Sequence, residues 1–171
     1  MSDIYATHML VLRLMGHVVN PSAVLELGAG FYSTGLFLDR ETYPALRWLD
    51  SVEVNDEWRS MVRDRYADER LTLYSGMPSR LLDSYGLIFI DDGQSAEERV
   101  RTIARVAQAR VIVPVVIHDF ENPAYRQAAD FEWLVEYDGM TPHTAICWNG
   151  DALSEAQQEA IDAEIYLNAR R

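Results

Sequence analysis

Acidic residues at the ends of four apolar runs carry most of the chemistry legible in this chain. The first is Glu26, within Val24-Leu25-Glu26-Leu27-Gly28-Ala29-Gly30-Phe31-Tyr32-Ser33-Thr34. Gly28 and Gly30 follow it, and Ser33 and Thr34 then open a helix. Glycines at such a strand-to-helix turn let the backbone bend tightly and approach a ligand with no Cβ in the way. The free N–H groups of the helix start face that ligand, which is the layout of a nucleotide-type cofactor site. The second acid is Glu53, ending Trp48-Leu49-Asp50-Ser51-Val52-Glu53. An acid about 20 residues beyond the glycines can accept hydrogen bonds from ribose hydroxyls. Asp91 and Asp92 follow Leu87-Ile88-Phe89-Ile90 and precede Gly93. His118 and Asp119 end the run 111–117. A histidine suits general-base work because its ordinary pKa lies near neutrality. Acids beside it can act as bases or hold a divalent cation.

Taken in order over residues 25–120, these segments resemble the class I S-adenosylmethionine (SAM)-dependent methyltransferases, in particular the small-molecule O-methyltransferases. The resemblance implies a role for each position. Gly28 and Gly30 would let the methionine part of SAM pass close to the backbone, with its carboxylate near Ser33 and Thr34 and its ammonium near Glu26 or Asp91. Glu53 would hold the ribose. Ser75 and Met77 would lie beside the adenine, Ser75 standing where many members carry an acid. His118 would take a proton from a hydroxyl acceptor, with Asp91 and Asp119 as the alternative catalytic acids. Catechol-type members hold a metal at these two strand ends, but with an Asp-Asn pair after the fifth strand. This chain reads His118-Asp119-Phe120-Glu121-Asn122 there, so no residue is assigned to a metal, and a divalent ion ranks below SAM among the cofactors. The competing function is a non-catalytic SAM- or nucleotide-binding protein that keeps the fold, since a fold and a pocket do not establish turnover. A nicotinamide enzyme fits less well, because Ser33 stands where the third glycine of G-x-G-x-x-G would fall.

These residues need strands and helices in alternation. Apolar spacing predicts an N-terminal helix over residues 3–18, within a segment (1–20) that would cover the site and bring Tyr5 and His8 toward an acceptor pocket. Either residue alone fits an ordinary helix position as well. Strands follow over 23–27, 48–54, 71–74, 87–90 and 111–117, with Pro114 as a local conflict, because proline removes a ladder donor. Helices fall over 32–39, 56–66 and 96–108, with a short one over 77–83. Residues 131–137 and 144–148 read as two strands with no helix between them, and 151–171 as a C-terminal helix. Alternating strands and helices argue a doubly wound, mostly parallel α/β sheet. The resemblance makes it a seven-stranded Rossmann-like sheet, and the late strand pair adds an antiparallel hairpin at its edge. All of 1–171 is expected to form one SAM-binding domain.

Composition narrows the partners. The chain has 171 residues, 49% hydrophobic and 25% charged, and a formal net charge of −12. All 15 of its basic residues are arginine. A duplex nucleic acid usually needs a basic footprint. Here the arginines alternate with acids, as in 59–70 and 97–105, which reads as solvated helix surface. Neither nucleic acid nor membrane is expected as a partner. The expected partner is a small-molecule acceptor, with a homodimer left open. The N-terminal residues show no basic region followed by a signal-type apolar run, so a cytoplasmic location is the expectation. The single cysteine, Cys147, sits in a strand-like run and reads as a buried, inert thiol.

Overall fold

A computed structural model describes residues 6–93 and 95–168. Seven strands form one sheet in the order β3-β2-β1-β4-β5-β7-β6. They are β1 (Ala23–Leu27), β2 (Trp48–Val52), β3 (Leu71–Tyr74), β4 (Leu87–Ile90), β5 (Val115–His118), β6 (Trp133–Tyr137) and β7 (Thr144–Trp148). β1 to β5 pair in parallel, and β7 runs antiparallel to both β5 and β6. The helices are α1 (Met9–Val18), α2 (Ser33–Leu38), α3 (Asp56–Arg65), α4 (Ala96–Gln108), α5 (Pro123–Ala128) and α6 (Glu155–Asn168).

Alternation along each central strand feeds two cores. In β4, Leu87 and Phe89 join Leu12, Met15, Phe37 and Ile161 on the side of α1, α2 and α6. Ile88 and Ile90 face the other way, toward Ile103, Val106 and Phe120 on the side of α4 and α5. Both faces are covered, which is why β1, β4 and β5 read as near-continuous apolar runs. The helix starts follow their caps: the side chains of Asn55, Ser95 and Asn122 accept from backbone N–H groups of the first turns of α3, α4 and α5.

Three expectations need correction. β5 starts at Val115 rather than 111; Pro114 lies just before it and serves as an acceptor, taking the N–H of Ile88 at 3.1 Å, so its missing donor costs the ladder nothing. The region 77–83 forms no α-helix, only a 3-10 turn at Leu82–Ser84. α1 begins at Met9, and residues 1–5, including Tyr5, lie outside the described residues. Trp133 is 55% exposed because β6 is the sheet edge. Cys147 is buried, and burial pushes its thiol up to a pKa well above the usual range. Among the described residues, no helix is long and apolar enough to cross a membrane.

Candidate active site

The carboxyl ends of β1, β2, β4 and β5 meet at one edge of the sheet, where open α/β sheets bind ligands. Leu27 in β1 pairs with Ile90 in β4, and Asp91 N–H continues the ladder onto Leu27 O at 2.8 Å. This places Gly28 against the Asp91 backbone. Gly28 has φ +96°, and a Cβ there would stand 2.6 Å from the Asp91 carbonyl carbon and 2.8 Å from Asp92 N. Only glycine fits the turn at this point.

Glu26 holds the loop from beneath. It is fully buried, and its Oε2 accepts from Thr34 Oγ1 at 2.7 Å and from the Ser51 hydroxyl. Thr34 Oγ1 also accepts the Gly30 N–H at 3.2 Å, so one chain of bonds ties the strand acid to the second glycine. The Gly28 and Ala29 N–H groups bond Val52 O in β2. Burial pushes the Glu26 pKa up to about 7, against the lowering effect of its Ser33, Ser51 and Thr34 bonds. Its Oε1 has no hydrogen-bond partner among the described residues.

Above the loop lies a cavity of about 390 Å³ whose walls include Gly28, Gly30, Ser33, Glu53, His8 and Asp91. Phe31 and Trp58 close one side with ring centroids 4.7 Å apart, and the Trp58 indole N–H donates to Ala29 O at 2.7 Å, binding α3 to the loop. A second cavity of about 270 Å³ shares Gly28 and Glu53 and continues to Val54, Asp92 and Gly93. Glu53 therefore stands between the two, with its Oε1 taking the Asn55 N–H at 2.7 Å. Asp92 bonds Thr102 Oγ1 at 2.6 Å through Oδ2 and leaves Oδ1 unpartnered among the described residues; burial raises its pKa.

The far wall of the first cavity is a polar cluster. Asp91 Oδ1 lies 3.2 Å from His118 Nδ1 and 3.1 Å from Arg99 Nη2. Arg99 also pairs with Asp119 at 2.5 Å. Burial pushes Asp91 upward, but His118, Arg99 and His8 together outweigh it and hold the carboxyl below its ordinary range. His118 Nε2 meets Thr7 Oγ1 at 2.9 Å. His8 packs edge-on against His118, centroids 4.7 Å apart, and against Phe89. Burial, then His118, lowers the His8 pKa to about 4, leaving the ring neutral; neither ring nitrogen has a partner among the described residues.

The structure thus brings Gly28, Gly30, Ser33, Glu53 and Asp91 to one cavity, with Glu26 and Thr34 directly beneath. It separates others. Ser75 and Met77 line neither cavity: Ser75 is exposed and Met77 packs against the core on the α4 side. His118 does not line the cavity either, and both its nitrogens are engaged, so it stands behind Asp91 and His8 rather than facing an acceptor. Asp119 is taken up by Arg99. Sequence reasoning missed Thr7, Arg99 and Trp58. Arg99 had a signal: it precedes Ile103 by four and Val106 by seven, on the buried stripe of α4.

The parallel sheet with one inserted antiparallel strand, β7, and a glycine loop after β1 makes a Rossmann-like α/β fold. Solved structures agree. Cofactor-bound Rv0187 from MTB superposes with a TM-score of 0.61 at 16% identity, over 84% of this chain and 79% of that one. A chain of the Pnkp1/Rnl/Hen1 RNA repair complex gives 0.59 at 12%, over 87% of this chain but 42% of its own length. The Burkholderia thailandensis 1,6-didemethyltoxoflavin-N1-methyltransferase, with 1,6-didemethyltoxoflavin and S-adenosylhomocysteine bound, gives 0.53 at 18%, over 86% and 80%. At these identities the likeness is one of fold. No protein-family model matches the chain, and a search of curated proteins finds no match.

Proposed function

We propose that this protein binds SAM across the two joined cavities and transfers its methyl group to a small-molecule acceptor, at a hydroxyl oxygen. The observation that carries the reading is Gly28, locked at positive φ against the Asp91 backbone at the floor of a cavity that Glu53 and Asp91 flank. The methionine part lies along the Gly28–Ser33 loop, its ammonium in the negative field of Asp91. Glu53 holds the ribose hydroxyls. The adenine takes the second cavity, between Val54 and Asp92. This assignment replaces Ser75 and Met77.

Methyl transfer from a sulfonium is an in-line displacement, so alignment is the main task. The acceptor oxygen approaches at the His8–Asp91 corner. As the C–O bond forms and the S–C bond breaks, the hydroxyl proton becomes strongly acidic and passes to the Asp91 carboxylate. His118 acts through Asp91 as a positioning residue, and Arg99 fixes the same carboxylate from the other side. Incubation with SAM and a panel of hydroxylated small molecules, read by mass spectrometry for S-adenosylhomocysteine and methylated product, tests the reading. Product above the blank supports it. SAM binding with no turnover across the panel would favour the binding-protein alternative, and absence of SAM binding would remove both.

A further inference from the structure

We infer that His8, Asp91 and His118 form a binding site for a divalent first-row transition cation at the back of the first cavity. One ligand atom from each of the three lies within 4.8 Å of the others. A point within about 2.8 Å of all three therefore exists, and side-chain shifts of under about 1 Å reach the roughly 2.0–2.2 Å of nitrogen and carboxylate ligation. His8 supplies the independent sign. It is 3% exposed, it lines the cavity, and neither of its ring nitrogens has a hydrogen-bond partner among the described residues. Buried polar groups left so are explained by strain, water or an ion.

The surroundings fit an ion. Thr7 Oγ1 sits on His118 Nε2 and so turns Nδ1 toward Asp91, the outer-sphere contact that fixes which nitrogen ligates. Arg99 Nη2 pairs with Asp91 Oδ1 at 3.1 Å, but its charge is shared with Asp119 at 2.5 Å, so a cation on Asp91 would meet a guanidinium already partly neutralised. Two imidazoles and one carboxylate select zinc, iron, cobalt or manganese over calcium and magnesium, which prefer all-oxygen sets. Three protein ligands leave a fourth position for a water or substrate oxygen, as in catalytic sites. An acceptor hydroxyl bound there would lose its proton more readily. That catalytic role rests on the methyl-transfer reading; the binding of the ion does not. The ligand set differs from the acid-only set (Asp91, Asp92, Asp119) that the sequence suggested.

The test is titration of the metal-stripped full chain with Co²⁺ alone, followed by visible d–d absorption. One saturating equivalent is expected in the wild type. His8→Ala, and His8→Asn as a second variant should the first misfold by circular dichroism, are expected to weaken binding at least tenfold. His143→Ala, half-buried beside Glu136 and outside the cluster, should leave the titration unchanged. No band with the wild type, a titration indifferent to His8, or one abolished by His143→Ala would overturn the inference. SAM calorimetry on the same metal-stripped protein separates the readings: SAM binding without cobalt binding discards the ion alone, and cobalt binding without SAM binding discards methyl transfer alone.

Discussion

Gly28→Ala isolates the feature on which the site depends. At φ +96° a side chain costs roughly 1–2 kcal/mol against the ordinary backbone regions. The new Cβ would also press into main chain rather than a movable side chain, 2.6 Å from the Asp91 carbonyl carbon and 2.8 Å from Asp92 N. Overpacking of this kind costs about 1–3 kcal/mol when the surroundings must shift. The sum, about 2–5 kcal/mol, is a large part of the roughly 5–15 kcal/mol that holds a domain together. The loop would be displaced from β4, which carries Asp91, so SAM affinity should fall with stability. Two neighbours calibrate the result. A Cβ on Gly30 would meet only Ser33 Oγ, at 3.2 Å, which a rotamer change relieves, and one on Gly76 would meet nothing within 4 Å. Urea denaturation of the three alanine variants, with SAM calorimetry on each, should rank them Gly28 far below Gly30 and Gly76 nearest wild type, within about 0.5 kcal/mol. A Gly28→Ala protein as stable and as competent as Gly76→Ala would refute the reasoning.

Glu26→Gln should show a pH-dependent gain. The folded-state pKa is raised from 4.5 to about 7, so between those values the unfolded chain ionises while the folded one stays protonated. Stability is therefore lost as pH rises through that window, by up to about 3 kcal/mol at roughly 1.4 kcal/mol per tenfold change in proton affinity. Glutamine removes the loss, and denaturation of both proteins at pH 4.5 and pH 8 should show the difference between them shifting toward the variant at the higher pH; an equal difference at both would contradict the burial argument. A mobility-shift assay with duplex and single-stranded nucleic acid at moderate salt should be blank, given the net charge of −12. A sequence-specific shift would reopen the choice of acceptor.

The parts of the fold that could be read ahead are those set by local pattern. The apolar run Leu87–Ile90 and the glycines after β1 each depend on residues a few positions apart. The rest depends on partners far apart in the chain. Thr7 and His118 are separated by 111 positions and meet only because the residues before α1 reach the end of β5. His8 lines the first cavity, as the covering role of its segment predicts, but its place against His118 comes from packing that no local pattern shows. Arg99 resembles its exposed neighbours Glu97 and Arg101 in type, and only its partners Asp91 and Asp119 justify burying it. Ser75 is exposed and lines neither cavity, while Asp92 and Gly93 line the second one, a difference that local pattern does not show.

The central claim is that the joined cavities are a SAM site with Glu53 at the ribose. Isothermal titration of the wild type and of Glu53→Ala with S-adenosylhomocysteine tests it most directly, since Glu53 is accessible and its removal leaves the core intact. The account predicts one site per chain in the wild type and a loss of about 1.5–3 kcal/mol in the variant, the worth of charge-assisted bonds to the hydroxyls. Equal affinity in both proteins, or no binding of S-adenosylhomocysteine alongside tight binding of a nicotinamide dinucleotide, would contradict it.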